Sequence, residues 1–138
     1  MPLDITTRQE FLTEPHVAAF SVAEPGRAPL TVPLWYQYSP GGEPWILISK
    51  ASRKMRLLDQ AGRCTLMVQR VVPTVRYVTV EGPVARVVPG TRRDLEELSR
   101  RYLPAEMVDD YLQMAEAEHG EQVAVHLRPE HWLSADLG

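Results

Sequence analysis

Residues 45–69, "WILISKASRKMRLLDQAGRCTLMVQ", predict a strand, a helix and a second strand that follow one another closely. The apolar run over 45–49 is typical of a buried strand. Ser52 is a favourable N-cap and Gly62 a favourable C-terminal stop, so a helix is predicted over 53–61. The sequence therefore predicts that the first turn of this helix lies at the end of a strand.

The junction between this strand and this helix is strongly basic. Lys50, Arg53, Lys54 and Arg56 fall within seven positions with no acid among them, although the whole chain has a net charge of −3. This basic cluster lies where a helix exposes unpaired backbone N–H groups and the positive end of its dipole. Cations there are disfavoured by about 0.3–1 kcal/mol each, so a bound anion would compensate for them. A plain basic surface is the other interpretation, and these residues alone do not choose between the two.

Most of the remaining chain has the alternation and the turn signals of short strands. Besides 45–49, the predicted strands are 17–23, 30–38, 63–71, 74–88 and 122–128. Gly82-Pro83 is expected to bend the long fifth strand. Two further helices are predicted over 92–101 and 104–118, the first with Thr91 as its N-cap and Asp94 reaching back to it. The pattern favours a mainly β fold, an antiparallel barrel of six strands with about three helices.

Length and composition predict one globular domain over residues 1–138, with 44% hydrophobic and 24% charged residues. The net charge argues against nucleic acid as a partner. Neither a signal sequence nor an apolar run of membrane-spanning length is visible, so we expect a cytoplasmic protein that does not engage a membrane. Cys64 is the only cysteine, and the four histidines have no metal-ligand spacing, so neither a disulfide nor a metal site is expected.

The order of these motifs resembles a known family. A strand ending in "VPLWYQY", a hairpin, "WILIS", "SRK" at the start of a helix, "RCTLMVQ" and "RYVTVEGPVARV" are similar to the FMN-binding split-barrel family related to pyridoxamine 5′-phosphate oxidase. They also resemble the branch of that superfamily that uses the deazaflavin coenzyme F-420. The resemblance covers most of residues 17–88. It implies a six-stranded antiparallel split barrel that forms a homodimer, with the cofactor at the interface between subunits.

The resemblance also implies which residues hold the cofactor. Ser52, Arg53 and Lys54 match the positions that bind its phosphate, and residues 32–35 match the strand beside its ring. The complete set of implied cofactor-binding residues is Val32, Pro33, Leu34, Trp35, Ile48, Ser49, Ser52, Arg53, Lys54, Arg76 and Tyr77. Tyr77 replaces the glutamine that the oxidase has there, and the C-terminal "RL" substrate segment has no clear equivalent. Oxidation of pyridoxamine phosphate is therefore not the expected reaction.

The resulting hypothesis is an oxidoreductase that binds FMN or F-420 and transfers hydride to or from a small organic substrate, with no catalytic side chain assigned. A non-catalytic cofactor carrier or a haem-binding split barrel is the alternative, with His126 or His16 as axial ligand. A dimeric interaction module whose basic cluster meets an acidic partner is a further one. The choice of cofactor stays open, although Lys50, Arg56 and Arg63 could meet the polyglutamate tail of F-420.

The sequence of the strand beside the ring does not by itself decide which of its aromatic residues faces the ligand. Alternation along "LTVPLWYQY" sends Trp35 and Tyr36 to opposite faces, so only one of them can border a flat ligand. Trp35 is the expected one, because an aromatic plane beside the ring adds about 0.5–1.5 kcal/mol beyond area burial. The alternative is that Trp35 points into the barrel core.

Overall fold

The computed structural model describes residues 1–138 and contains seven strands and four helices. The strands are β1 (Ala18–Val22), β2 (Leu30–Leu34), β3 (Trp45–Ser49), β4 (Arg63–Arg70), β5 (Arg76–Pro89), β6 (Gln122–Leu127) and β7 (His131–Asp136). The helices are α1 (Ile5–Thr13), α2 (Arg53–Ala61), α3 (Arg92–Tyr102) and α4 (Ala105–Glu118). None of these helices combines the length and the apolar character that a membrane-spanning helix requires.

All strand pairs are antiparallel, and the sheet order is β2-β1-β4-β5-β6-β3, with β7 paired to β5. The fold depends on β5, whose first half lies between β4 and β7 and whose second half pairs with β6. The register shifts between Val84 and Arg86, directly after the predicted bend at Gly82-Pro83. A Cβ atom on Gly82 would lie 1.9 Å from the carbonyl oxygen of Arg128, so only glycine allows this close approach.

The main core fills the curled sheet and contains 20 buried residues. Tyr36, Phe11 and Phe20 are its largest fully buried members. Helix α2 closes one side with Met55, Leu57 and Leu58, which follow its helical spacing. A second, four-residue core joins α3 to α4 through Leu95, Val108, Leu112 and Ala115, and Leu47 of β3 packs against it. The α3–α4 hairpin therefore rests on the outer side of β3.

The predicted mainly β barrel with inserted helices is confirmed, and two elements were missed. The bounds of α2 and β3 agree with the prediction, and Thr91 and Asp94 form the predicted capping box. The strand predicted over 30–38 ends at Leu34, and only an isolated bridge between Gln37 and Trp45 continues it. Helix α1 and strand β7 were not predicted, because neither has apolar residues at a regular helical or alternating spacing.

Candidate functional site

A cavity of about 400 Å³ lies between the β2–β3 side of the barrel and the α3–α4 hairpin, and it is partly open to solvent. Much of its wall is apolar, contributed by Val17, Pro33, Leu34, Leu47, Ile48, Leu95 and Leu98. The remaining lining residues are Trp35, Ser49, Lys54, Tyr111, His119 and Gln122. Its volume lies within the range of small-molecule sites, and its few polar groups could orient a ligand.

One end of the cavity is aromatic. The Trp35 ring stacks on Tyr102 at a centroid distance of 5.0 Å and an interplanar angle of 12°, and it lies 5.2 Å from the ring of Tyr111. Tyr36 faces the opposite way, into the core, where its hydroxyl donates to the carbonyl oxygen of Leu12 at 2.6 Å. Burial raises the pKa of Tyr36. Trp35, rather than Tyr36, therefore faces the cavity.

The other end of the cavity is polar and lies where β3 leads into α2. The Ser49 hydroxyl donates to the carbonyl oxygen of His119 at 3.1 Å, which joins the end of β3 to the end of α4. The backbone N–H of Ser52 donates to the carbonyl oxygen of Ser49, so α2 begins beside this contact. Tyr111 and His119 are eight residues apart along α4, a rise of about 12 Å. The backbone of α4 thus rises by about the length of a small fused-ring ligand between the aromatic and the polar end.

The two cations of the first turn of α2 have different environments. The guanidinium group of Arg53 forms a salt bridge with the carboxylate of Glu24 and is not part of the cavity wall. Lys54 forms no salt bridge, and its side chain lines the cavity. Ser52 caps the helix by accepting a hydrogen bond from the N–H of Met55 at 3.2 Å. The backbone N–H groups of Arg53 and Lys54 have no acceptor within the helix, as expected for a first turn.

The structure brings six of the eleven expected cofactor-binding residues together on the cavity wall: Pro33, Leu34, Trp35, Ile48, Ser49 and Lys54. Val32 does not line the cavity and packs against the barrel core. Ser52 and Arg53 lie at the start of α2 beside the wall. Arg76 and Tyr77 lie at the start of β5, paired with β4 and β7, and do not line the cavity.

Arg76 belongs instead to a cluster around Asp136. Its Nε donates to Oδ2 of Asp136 at 2.8 Å, and the Thr74 hydroxyl donates to the same oxygen. The backbone N–H of Gly138 first, and then Thr74 and Arg76, lower the pKa of Asp136 to about 2. This network joins the start of β5 to the end of β7. The positive charge of Arg76 is therefore paired with Asp136 and has a structural role.

Three polar residues of the cavity were not singled out from the sequence: Tyr111, His119 and Gln122. Gln122 reaches the site because β6 pairs with β3, opposite Ser49. His119 follows α4 and precedes Gly120, whose φ of 60° turns the chain back toward β6. Nδ1 of His119 is buried and has no hydrogen-bond partner. No local sequence signal identifies these residues, because their position depends on pairing between distant segments.

The arrangement of these groups suits a flat ligand that carries an anion. Apolar walls and the Trp35 ring would hold the planar part, while Lys54 and the first-turn N–H groups of α2 would bind the anionic end. The buried Nδ1 of His119 also lacks a partner that a ligand could supply. The residues present therefore fit a phosphate-bearing ring cofactor.

Comparison with known proteins supports the fold. No family model and no curated protein matches the sequence. Among solved structures, the chain is similar to an F-420 reductase, with a TM-score of 0.71 and 20% identity over 91% of this chain and 94% of that one. It is also similar to a Clostridium acetobutylicum protein related to general stress protein 26 and described as of the pyridoxinephosphate oxidase family, with a TM-score of 0.67 and 10% identity over 98% and 92% of the two chains.

A third similar structure is that of HutZ, described as a haem storage protein, from Vibrio cholerae. Its TM-score is 0.61 at 15% identity, with 96% of this chain and 94% of that one covered. At these identities the likeness concerns the fold, and the split barrel implied by the sequence resemblance is confirmed.

Proposed function

We propose that this chain binds FMN or F-420 in the cavity between β2, β3 and the α3–α4 hairpin, and that the complex is an oxidoreductase. The observation that carries the proposal is the presence, in one cavity, of the Trp35 ring at one end and the side chain of Lys54 at the other. A hydrophobic slot with a single cationic end suits a planar ring that carries a phosphate. The likeness to an F-420 reductase agrees with this assignment.

The bound cofactor would supply hydride transfer at its ring, and the chain would supply binding and orientation. Lys54 would bind a phosphate oxygen, and Trp35 would fix the plane of the ring. The apolar residues of the wall would exclude water from the part of the ring that they cover. Because the cavity is partly open, a small organic substrate could approach from the solvent side.

We also propose that the protein is a homodimer. Exposed apolar residues lie in the β4–β5 loop, on β7 and directly after β7: Val71, Val72, Val75, Leu133 and Leu137, with 70% and 80% of Val71 and Val72 accessible. The backbone N–H of Leu137 donates to the carbonyl oxygen of Val75, which holds part of this surface together. A second copy would bury it, with an interface above about 1,000 Å². Sedimentation of a monomer at micromolar concentration would contradict this expectation.

The experiment that tests the cofactor assignment is titration of the cofactor-free protein with FMN and, separately, with F-420, followed by fluorescence. We expect saturable quenching of tryptophan emission with at least one of them. Absence of binding with both would refute the proposal. If both cofactors bind, their relative affinities identify the one that the chain prefers.

A haem-binding function is the second candidate, favoured by the likeness to HutZ. His16 and His126, the ligands considered from the sequence, do not line the cavity: His16 contacts Glu14 and Phe11, and His126 lies beside Trp45 and Arg86. His119 is the one histidine that lines the cavity, so it is the histidine that would serve there as an axial ligand. A Soret band after addition of haem, lost in His119→Ala, would support this function over the first. A protein that binds neither flavin, deazaflavin nor haem would favour the interaction module.

A further inference from the structure

The imidazole of His119 has no assigned role. His119 is the C-terminal capping residue of α4, and its ring lines the cavity while its Nδ1 is buried without a hydrogen-bond partner. A buried nitrogen without a partner is unfavourable, so such a group calls for an explanation. No hydrogen bond to Nδ1 fixes the ring, so a rotation about its Cβ–Cγ bond that presented a nitrogen to a ligand would break none.

The surroundings of His119 indicate what that ligand group is. Its carbonyl oxygen accepts a hydrogen bond from Ser49, and Ser49 in turn accepts one from the N–H of Ser52, the N-cap of α2. His119 therefore lies at the same end of the cavity as Lys54 and the first turn of α2. The cation of Lys54, the first-turn N–H groups of α2 and the side-chain NH₂ of Gln122 can all donate there, which suits an anion with several acceptor oxygens.

We propose that His119, like Lys54, donates a hydrogen bond to the phosphate of the bound cofactor. The inference rests on the proposed function, because it assumes that a phosphate-bearing flavin or deazaflavin occupies the cavity. It adds a phosphate ligand from the α4–β6 connection, a segment outside the strands and helix that the sequence resemblance covers. His119 thereby acts in binding and positioning rather than in hydride transfer.

The test compares ligands that differ in the phosphate group. FMN and riboflavin share a ring system and differ only in the phosphate, so they are the decisive pair; F-420 and its phosphate-free chromophore are a second pair, which differs in the tail as well as in the phosphate. In titrations, we expect His119→Ala to weaken the phosphate-bearing ligand about tenfold or more, the effect of one hydrogen bond to a charged group, and to leave its phosphate-free partner unchanged. His119→Gln keeps a donor and should recover part of the loss. His131→Ala, on the exposed surface, is the matched control.

A second readout is independent of affinity. In ¹⁵N NMR of the histidine side chains, FMN or F-420 should shift the ring nitrogens of His119, whereas the phosphate-free partner should not. Equal loss of affinity for both ligands of a pair, or unchanged affinity for both with no shift, would overturn the assignment while leaving cofactor binding intact. Absence of binding by the unmodified protein to all four ligands would instead overturn the proposed function, and this assignment with it.

Discussion

The two cations at the start of α2 provide a sharp test of the cofactor site, because they are adjacent in the sequence and different in the structure. Lys54 lines the cavity without a salt bridge, whereas Arg53 is paired with Glu24. A hydrogen bond from a lysine to a phosphate contributes about 1.5–3 kcal/mol, so Lys54→Ala should weaken binding roughly 10- to 150-fold. An exposed paired cation contributes about 1 kcal/mol or less, so Arg53→Ala should weaken it about fivefold at most.

The assay is the same fluorescence titration, with whichever of FMN or F-420 binds more tightly. Arg53→Ala leaves the carboxylate of Glu24 without its partner, so the double variant Glu24→Ala/Arg53→Ala is the matched control for removal of the pair. Circular dichroism should show that each variant keeps its fold, since neither side chain belongs to the core. An Arg53→Ala variant that loses as much affinity as Lys54→Ala, or more, would refute this reasoning. It would indicate that the phosphate binds beside Arg53, outside the cavity.

Three other outcomes follow from the structure. Trp35→Phe should abolish most of the fluorescence quenching caused by cofactor binding, while Trp45→Phe and Trp132→Phe should retain it; full quenching in Trp35→Phe would mean that another residue borders the ring. Thr91→Ala removes the capping box of α3 and should cost about 1 kcal/mol in chemical denaturation, without changing the barrel. The pKa of Asp136 is lowered to about 2 in the folded protein, so its stabilising effect is present above pH 4 and is lost as the pH falls toward 2; unfolding midpoints measured across that range should depend less on pH in Asp136→Asn.

Elements with local signals could be predicted from the sequence. Helix α2 has a serine cap, a glycine stop and a clear apolar face, and the strand before it is a short apolar run, so both were predicted with the observed bounds. Helix α1 lacks an apolar face of regular spacing, although Asp4 caps it by accepting a hydrogen bond from Thr7. Strand β7 depends on pairing with β5 and has no alternation of its own. These two elements exist because of tertiary contacts, which a local pattern does not contain.

In the candidate site, too, features with a local sequence signal could be predicted, and features that depend on tertiary contacts could not. The position of Trp35 on the face opposite Tyr36 could be expected from alternation, and the identity of the outward-facing residue follows from the burial of Tyr36. The different environments of Arg53, which is paired, and Lys54, which lines the cavity, could not be predicted. The partner of Arg53 is Glu24, which lies 29 residues earlier in the chain. His119 lies near Ser49 only because α4 ends beside the paired strands β3 and β6.

Salt bridges within the chain also bear on which cofactor the site suits. Three cations, Lys50, Arg56 and Arg63, could from the sequence meet the polyglutamate tail of F-420. In the folded chain Lys50 lies 3.6 Å from Glu121 and Arg63 lies 2.8 Å from Glu130, so two of the three already face carboxylates of this chain.

Of these three cations, only Arg56 is exposed without a salt bridge, two residues beyond Lys54 on α2. Exposed pairs of this kind are weak and exchange readily, so a tail could compete for the same cations, but it would have to displace the carboxylates first. The proposed ring and phosphate contacts would serve FMN and F-420 equally. In the proposed complex, the preference between the two cofactors would depend on how easily the tail displaces the carboxylates of Glu121 and Glu130 from Lys50 and Arg63. Added salt should reduce any advantage in affinity of the tailed cofactor, because it screens the charges of the tail.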